Sequence, residues 1–378
     1  MNFQFSDDQL TIKDVAEKIF RDLCDDETIR NISKEAVPVH RALWAQLAES
    51  GLLGAPLPGA YGGSELGLAE ICLIVQAQGA AVAPVPLLET VVECAMPVAR
   101  FGSDALKQRI LPAVNSGELM LAAVRSYQGL RDKAPVMASQ DGDTWLLNGD
   151  SGLVSYGPVA GGFLVCACLE QEGHWLGYVD AGTEGVNLTT QKSMSGEICG
   201  HIRFDNVKVP AGDVLASGKA AAEALEWQAQ RTYTALAAQQ VGILKEGLQR
   251  AAEYTSERKQ FGRPLASFQA VAQQAADAYM AIEALQGVYW RALADIEENN
   301  PEAAMSARVA KFWTAEAGHI AGHVALHIHG GIGQDLDYPA HRFFIWAKQN
   351  ENYLGGANRF STELGDLVAQ NPEAVIEQ

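Results

Sequence analysis

The spacing of hydrophobic and polar positions changes twice along the chain, and these changes predict three consecutive regions. Residues 1–117 show the three- and four-residue spacing of amphipathic helices, which predicts an N-terminal helical domain. Residues 118–217 carry short apolar runs broken by glycine, aspartate and asparagine, which predict a middle β domain, either a barrel or a sandwich. Residues 218–378 return to helical spacing and predict a C-terminal four-helix bundle. The predicted fold class is therefore α+β.

Local signals within these regions predict individual strands and helix ends. Apolar runs that are typical of strands occupy residues 119–124, 144–149, 162–169, 174–180 and 201–210. In the C-terminal region, glycine, asparagine and proline predict helix ends near residues 262–264, 299–301 and 330–333.

Composition and charge narrow the classes of function. The chain has 378 residues, enough for two or three domains, and a formal net charge of −18. Such an acidic chain is unsuited to binding nucleic acid or an anionic membrane surface, because both require clustered lysine and arginine. The N-terminal sequence MNFQFSDDQL does not resemble a signal peptide, and no apolar stretch is suited to spanning a membrane. We therefore expect a soluble, cytoplasmic protein.

A cationic turn at residues 257–269 is the first candidate binding site. It ends a long amphipathic helical pattern, and Gly262 lets the backbone turn sharply. The guanidinium of Arg258 offers a planar fork of donors suited to a diphosphate, and Phe261 offers an apolar face. Taken alone, the same residues also fit an ordinary helix end.

The turn sequence ERKQFGRPLASFQ resembles a flavin-contacting turn of the acyl-CoA dehydrogenase family, and HIHGGIG at residues 327–333 resembles that family's second flavin segment. The likeness extends over most of the chain and implies the same order of helical, β and helical domains. It also implies FAD as the cofactor, α,β-desaturation of an acyl-CoA substrate, and an electron-transfer flavoprotein as the acceptor. The residues that would reach an FAD held mainly by a neighbouring subunit are Arg258, Phe261, Gln269, Gly330 and Gly331. His327 replaces a glutamine of relatives and would donate a hydrogen bond near the flavin diphosphate.

The resemblance also implies where the catalytic base, a glutamate that removes the α-proton, would lie. In most members it belongs to a Tyr-Glu-Gly-Thr string, and in this chain Leu354 stands in its place within residues 353–356. A smaller set of members carries the base just before an arginine, and here that position is Gln230. Neither side chain can act as a base. Glu351 and Glu226 would share a helical face with these positions, so each is a candidate for a displaced base, and each also fits a solvated surface carboxylate.

The strings with which a family member binds its own flavin are altered. Residues 124–135 carry neither the Thr-Glu-Pro nor the Gly-Ser-Asp string of relatives. Leu153 stands where an aromatic residue shields the flavin in relatives, whereas Ser155 keeps a hydroxyl at the position of a flavin-contacting threonine. The residues directed at a neighbour's flavin are thus present, while those for the chain's own flavin and base are largely replaced.

This asymmetry favours a non-catalytic subunit of a heteromeric acyl-CoA dehydrogenase, in which a second, related subunit supplies the base. The family includes such heteromers, chiefly in the bacterial degradation of steroid-CoA and similar bulky thioesters. Two alternatives stay open: a self-sufficient homotetramer with Glu226 or Glu351 as an unusual base, and a flavin-free scaffold that keeps only the fold. The sequence does not define the acyl group, which could be a steroid, fatty, branched or aromatic one.

A series of histidines offers a rival site. His319, His323 and His327 recur at four-residue intervals, with His329 just beyond, and two histidines at this spacing can hold a metal. The outer two would lie on the order of 11 Å apart on a helix, so they point poorly at one ion. We therefore expect no metal.

Overall fold

The computed structural model describes residues 5–125, 136–170 and 173–370. The chain divides into two compact units, each assembled from separate stretches of sequence. The first unit contains Met1–Asn31, Leu68–Ala83 and Tyr233–Gln378, and the second contains Ile32–Gly67 and Pro84–Thr232. Within the described part of the chain, no helix combines the length and the apolar character needed to cross a bilayer.

The first of the helices that precede the sheet begins with a well-defined N-terminal cap. The Ser6 side chain accepts a hydrogen bond from the backbone of Gln9, and the Gln9 side chain accepts one from the backbone of Ser6, which forms a capping box. The bounds of these helices are α1 Asp7–Leu23, α2 Asp26–Ser33, α3 Arg41–Glu49, α4 Leu68–Ala81, a π-helix Leu88–Ala95, α5 Met96–Phe101 and α6 Asp104–Asn115.

The second unit contains a mixed sheet. Its strands are β1 Leu121–Val124, β2 Met137–Asp141, β3 Thr144–Ser155, β4 Gly162–Leu169, β5 His174–Asp180, β6 Val186–Lys192, β7 Ile198–Pro210 and β8 Val214–Gly218. Their order is β6-β7-β3-β2-β4-β5-β8, and β1 pairs with β4. Both β1 and β2 run parallel to β4, and the other pairs are antiparallel.

Alternation along the strands gives this sheet two buried faces. Phe163 and Trp175 belong to an apolar core on one face, whereas Leu164 and Leu176 belong to a second core that includes residues of the π-helix and α6. The sheet is therefore covered by helices on one side, which accounts for the almost continuous apolar sequence of β4.

The first unit is helical. Besides α1 and α4, it contains the C-terminal part of α7 and the helices after it: α7 Lys219–Glu257, α8 Gln269–Glu297, α9 Ala303–Ile328, α10 Ala340–Asn352 and α11 Ala357–Gln370. Helix α9 packs against α8, α10 and α11, so it is central to this unit. The backbones of α4 and α7 approach so closely that a Cβ at Gly79 or Gly242 would collide with the backbone of the other helix.

The predicted order of helices, strands and helices is confirmed, and the five predicted runs all overlap strands, namely β1, β3, β4, β5 and β7. Strands β2, β6 and β8 are not among the predicted runs. In β6 most residues are polar and exposed, which leaves little apolar alternation to detect. The domain boundaries after residues 117 and 217 stay a prediction.

Candidate cofactor-binding surface

The end of α7 and the residues after it form an exposed hairpin. Strands β9 Lys259–Gln260 and β10 Arg263–Pro264 pair on either side of Phe261 and Gly262. Both turn residues have positive φ, 52° and 81°, as in a type I′ turn. The turn leaves the Phe261 side chain 92% exposed, so this residue contributes little to the core.

Helix α8 starts directly after this hairpin, at Gln269. Phe268 occupies its N-cap position, and in the described structure no side chain caps the helix. The N-terminal N–H groups of a helix carry a partial positive charge and lack partners within the helix. The Val271 N–H donates to the Phe268 carbonyl, so the donors that the start of α8 offers to an anion are those of the exposed Gln269 and Ala270.

The end of α9 supplies the second predicted segment. His327 lies exposed in its last turn, and Gly330 and Gly331 begin a short 3-10 helix, Gly330–Gln334. Gly330 has a φ of 67°, and a Cβ at either glycine would meet open space within 4 Å. A ligand can therefore approach this backbone closely.

Packing beneath these residues brings the two segments together. Tyr254, one turn before Arg258, stacks on His329 with ring centres 5.1 Å apart, and Tyr338 contacts the same imidazole at 5.4 Å. A small apolar cluster joins the same three helix ends: Ala251 of α7, Val271 of α8, and Val324, Ala325 and Ile328 of α9. We call the exposed residues above it the helix-end surface, and its members are Arg258, Phe261, Gln269, His327, Gly330 and Gly331.

The electrostatics of the helix-end surface favour an anion. Among the described residues, no carboxylate pairs with the exposed Arg258 guanidinium, whereas the Arg263 guanidinium stacks 4.1 Å above the Phe268 ring. Beneath the surface, burial lowers the pKa of His329, whose Nδ1 lies 2.6 Å from the Ala325 carbonyl oxygen. The positive charge of this surface is therefore supplied by exposed side chains, among them Arg258, and not by the buried imidazole.

Ser155 lies at the end of β3 in the second unit and is half-buried. In the antiparallel register of β3 and β7 its backbone lies opposite Cys199. Leu153, where relatives carry a shielding aromatic residue, is 54% exposed. The altered own-flavin strings of residues 124–135 lie almost entirely outside the described residues. The role of Ser155 therefore stays a prediction.

The two positions at which relatives carry a base hold side chains without base chemistry. Leu354 is 7% exposed and lies between α10 and α11. The Gln230 amide, on α7, donates to the Glu226 carboxylate at 3.1 Å. The Glu226 carboxylate is thus already engaged by its neighbour.

The second candidate for a displaced base is also engaged. The Glu351 carboxylate accepts a hydrogen bond from the Lys348 ammonium at 2.6 Å, and its other oxygen lies 3.7 Å from Nδ1 of His319.

The predicted histidine series follows the exposed side of α9. The His319 and His323 rings lie 4.4 Å apart, and Nδ1 of His323 is bound to the His319 carbonyl. In residues 5–125, 136–170 and 173–370, no group of three or more histidine, cysteine or acidic side chains could hold a metal ion.

Sequence reasoning passed over several buried charges. Glu89 and Glu93 lie on the π-helix, and Glu197 precedes β7. Burial raises the pKa of Glu89 well above its ordinary value, and the nearby charges of Glu197 and Glu93 act in the same direction. Arg125 pairs with Glu93 at 2.9 Å. Lys311 is fully buried on α9. The available signal was a charged residue inside an otherwise apolar run, as in LLETVVECA and ARVAKFW.

Two family models match this chain: the acyl-CoA dehydrogenase N-terminal domain over residues 6–118, and the acyl-CoA dehydrogenase C-terminal domain over residues 222–362. Acyl-CoA dehydrogenase FadE27 of Mycobacterium tuberculosis is 34% identical over 379 residues, which cover 98% of this chain and 100% of that protein.

Solved structures show the same relationship. A chain in the crystal structure of the ChsE4-ChsE5 complex from Mycobacterium tuberculosis matches with a TM-score of 0.92 at 34% identity, covering 98% of this chain and 100% of that one. A chain from a variant of the Tcur3481-Tcur3483 steroid ACAD matches with a TM-score of 0.89 at 37% identity, covering 97% of this chain and 99% of that one. Since sequence and fold agree along nearly the whole chain, this protein belongs to the acyl-CoA dehydrogenase family.

Proposed function

We propose that this chain is the non-catalytic subunit of a heteromeric, FAD-dependent acyl-CoA dehydrogenase and completes the FAD site of a partner subunit. The proposal rests on a contrast between two groups of residues in this chain, those of the helix-end surface and those at the base positions. The helix-end surface is assembled and exposed, whereas Leu354 and Gln230 occupy the two base positions and the carboxylates of Glu226 and Glu351 are engaged.

The residues of the helix-end surface fit the diphosphate and the rings of FAD. Arg258 would bind the diphosphate through its charge and its paired donors, and the start of α8 at Gln269 would add backbone N–H groups. Gly330 and Gly331 leave space for phosphate oxygens, and Phe261 supplies an apolar face. His327 would add one polar contact.

The proposed reaction is α,β-desaturation of an acyl-CoA thioester. Bound FAD would supply the oxidant that accepts a hydride from the β-carbon. The residues of this chain bind and orient the cofactor and exclude water from it. Removal of the α-proton needs a carboxylate in a dry pocket, and we assign that group to the partner subunit because the corresponding positions here lack one.

The first experiment counts FAD per subunit by visible absorption. The chain is purified alone and also after co-expression with a related dehydrogenase-like subunit of the same organism. We expect colourless protein from the lone chain and about one FAD per heterodimer. One FAD per chain in the lone protein would contradict the proposal and favour a self-sufficient homotetramer.

A pair of arginine variants tests the helix-end surface. Arg258→Ala is expected to weaken FAD binding by about 10- to 100-fold, the usual effect of losing a hydrogen bond to a charged group. Arg263→Ala is the matched control, since this arginine lies in the same hairpin but stacks on Phe268. Unchanged FAD content and activity in the Arg258 variant would favour a flavin-free scaffold.

The electron acceptor and the acyl group belong to the same proposal. We assign an electron-transfer flavoprotein as acceptor, and the likeness to the Tcur3481-Tcur3483 steroid ACAD suggests a steroid-type acyl-CoA as the substrate. The assembled heteromer would be assayed with an electron-transfer flavoprotein, using a steroid-CoA thioester and octanoyl-CoA. Faster turnover of octanoyl-CoA would overturn the substrate assignment.

A further inference from the structure

A fully buried lysine holds the turn that contains Leu354. Lys311 of α9 has a relative exposure of 0%. Its ammonium donates to three backbone carbonyl oxygens, those of Asn350 at 3.3 Å, Glu351 at 3.2 Å and Gly355 at 2.8 Å. All three N–H donors of the charged group can therefore be satisfied.

The three carbonyls lie on both sides of Leu354. Asn350 and Glu351 belong to the last turn of α10, where backbone carbonyls lack partners within the helix and a cation is favoured. Gly355 follows the turn and precedes α11. Lys311 therefore ties the end of one helix to the residues that start the next.

The turn needs such support because its backbone is strained. Leu354 has a φ of 65° and Gly355 a φ of 116°. A left-handed conformation brings the Cβ of a leucine too close to the following carbonyl oxygen. Residues in such conformations persist only where the surrounding structure holds them.

A lysine at this position combines an energetic cost with a specific set of contacts. Burial lowers the pKa of Lys311 to about 7, while the nearby charges of Glu351 and Arg359 raise and lower it respectively. A methionine of similar volume would avoid the desolvation penalty of the buried charge. It would also leave three backbone carbonyls of the turn without their donor, and unpaired buried acceptors are unfavourable.

We propose that Lys311 is a positioning residue that holds residues 353–356 in their left-handed turn and so fixes the side chain at position 354. This role rests on the contacts to the three carbonyls. Its importance for acyl-CoA rests on the proposed function and on the likeness to relatives, which carry their catalytic base at the position of Leu354.

Hydrogen exchange of the full chain tests the positioning role. The amides of Tyr353 and Gly355, which donate to Gln349 and Asn352, report on the turn, and amides in the middle of α8 report on the fold. Lys311→Met is expected to lower protection of the turn by about 10-fold or more and to leave α8 unchanged. Lys219→Met is the control, because Lys219 is exposed and within the described part of the chain pairs only with Glu223 of its own helix. Equal protection of the turn in all three proteins would overturn the proposal.

A second measurement needs no substitution and decides the case if Lys311→Met unfolds. Loss of a proton leaves the amine with two donors for three carbonyls. The charged groups that face it are Glu351 of α10 and Arg359 of α11. After correction for the intrinsic pH dependence of amide exchange, protection of the turn amides is expected to fall as the pH rises through about 7. Protection of the α8 amides is expected to stay the same. A profile that stays flat up to and beyond the ordinary lysine pKa of 10.5 would overturn the proposal.

Kinetics of the assembled heteromer with bound FAD test the role of Lys311 toward acyl-CoA separately from its structural role. Lys311→Met is expected to keep its FAD but to raise the KM for acyl-CoA by about 5- to 10-fold, because small displacements of a positioning group cost binding and rate. An unchanged KM with bound FAD would overturn the role toward acyl-CoA. Absence of FAD from the parent heteromer as well as from the variants would instead contradict the proposed function. The hydrogen-exchange results would still decide the structural role of Lys311.

Discussion

At the scale of single residues, Phe261 combines an unfavourable backbone conformation with an unburied side chain. Its φ is 52°, and 92% of its side chain is exposed, so neither property stabilises the lone chain. Asparagine followed by glycine is the preferred pair in a type I′ turn. We therefore expect Phe261→Asn to raise the free energy of unfolding of the lone chain by about 1 kcal/mol, measured in urea.

The same variant is expected to weaken FAD binding in the heteromer, because the apolar face is lost. Gly262→Ala is the control for the backbone, since it places a Cβ at a φ of 81° and should destabilise the turn by about 1 kcal/mol. A destabilised Phe261→Asn chain would contradict the strain argument.

The engaged glutamates give a second prediction at this scale. Glu226→Gln and Glu351→Gln are expected to leave turnover of the assembled enzyme within about twofold of the parent, because both carboxylates bind neighbouring side chains of this chain and the base is assigned to the partner subunit. Steady-state kinetics of each variant and of the double variant check this. A loss of about 10⁴-fold in either one would identify it as the base and restore the homotetramer hypothesis.

These residues also show how far sequence reasoning reaches. The absence of a carboxyl group at Leu354 and Gln230 can be read from residue type alone. The hydrogen bond between Lys348 and Glu351, and the burial of Lys311, depend on which side of a helix faces which neighbour. Periodicity indicates a face but does not identify its contacts, so the role of Lys311 could not be predicted.

At the scale of elements, the two glycines that start the short 3-10 helix should respond differently to alanine. Gly331→Ala meets open space and has no positive φ, so stability should be unchanged while FAD binding weakens, because the methyl group takes up space at the surface. Gly330→Ala, at a φ of 67°, should also lose about 1 kcal/mol of stability. Urea unfolding and FAD titration separate the two effects, and unchanged FAD binding in both variants would argue against a cofactor at this segment.

The contact between the ends of α7 and α9 should depend on pH. Burial lowers the pKa of His329 below its ordinary value of 6.5, so the unfolded chain binds the proton more readily than the folded one. Its contribution to stability is therefore complete above about pH 6.5 and is lost as the pH falls through the folded pKa. His329→Phe, which keeps a stacked ring against Tyr254, should flatten this part of the pH profile. A steeper acid loss in the variant would contradict the assignment.

Element prediction from sequence succeeded where local patterns determine the structure. Strands β4 and β5 were predicted to their observed bounds because their apolar runs end at clear turn residues. The meeting of the segments around Arg258 and Gly330 was implied by resemblance to relatives, not by pattern. It depends on a stacking contact between Tyr254 and His329, residues far apart in sequence, and no local signal encodes such a contact.

At the scale of the whole molecule, the proposed division of labour predicts where FAD stabilises the fold. A ligand at about 100 times its Kd stabilises the state that binds it by about 2.7 kcal/mol. For a heterodimer of two chains of about this size we expect a rise in Tm of about 2 °C when FAD is added to the apo heteromer, and no rise for the lone chain. A thermal shift in the lone chain equal to that of the heteromer would show a complete site in one subunit.

The exposed hairpin also has a consequence for the life of the protein in the cell. Arg258, Lys259 and Arg263 stand beside Phe261 on a projection with little buried surface, and proteases that cut after basic or aromatic residues favour such projections. If the chain acts as proposed, a subunit without its partner would present this hairpin to proteases, and assembly around the shared FAD would cover it. Turnover would then match the amount of this chain to that of its partner without any control of its synthesis.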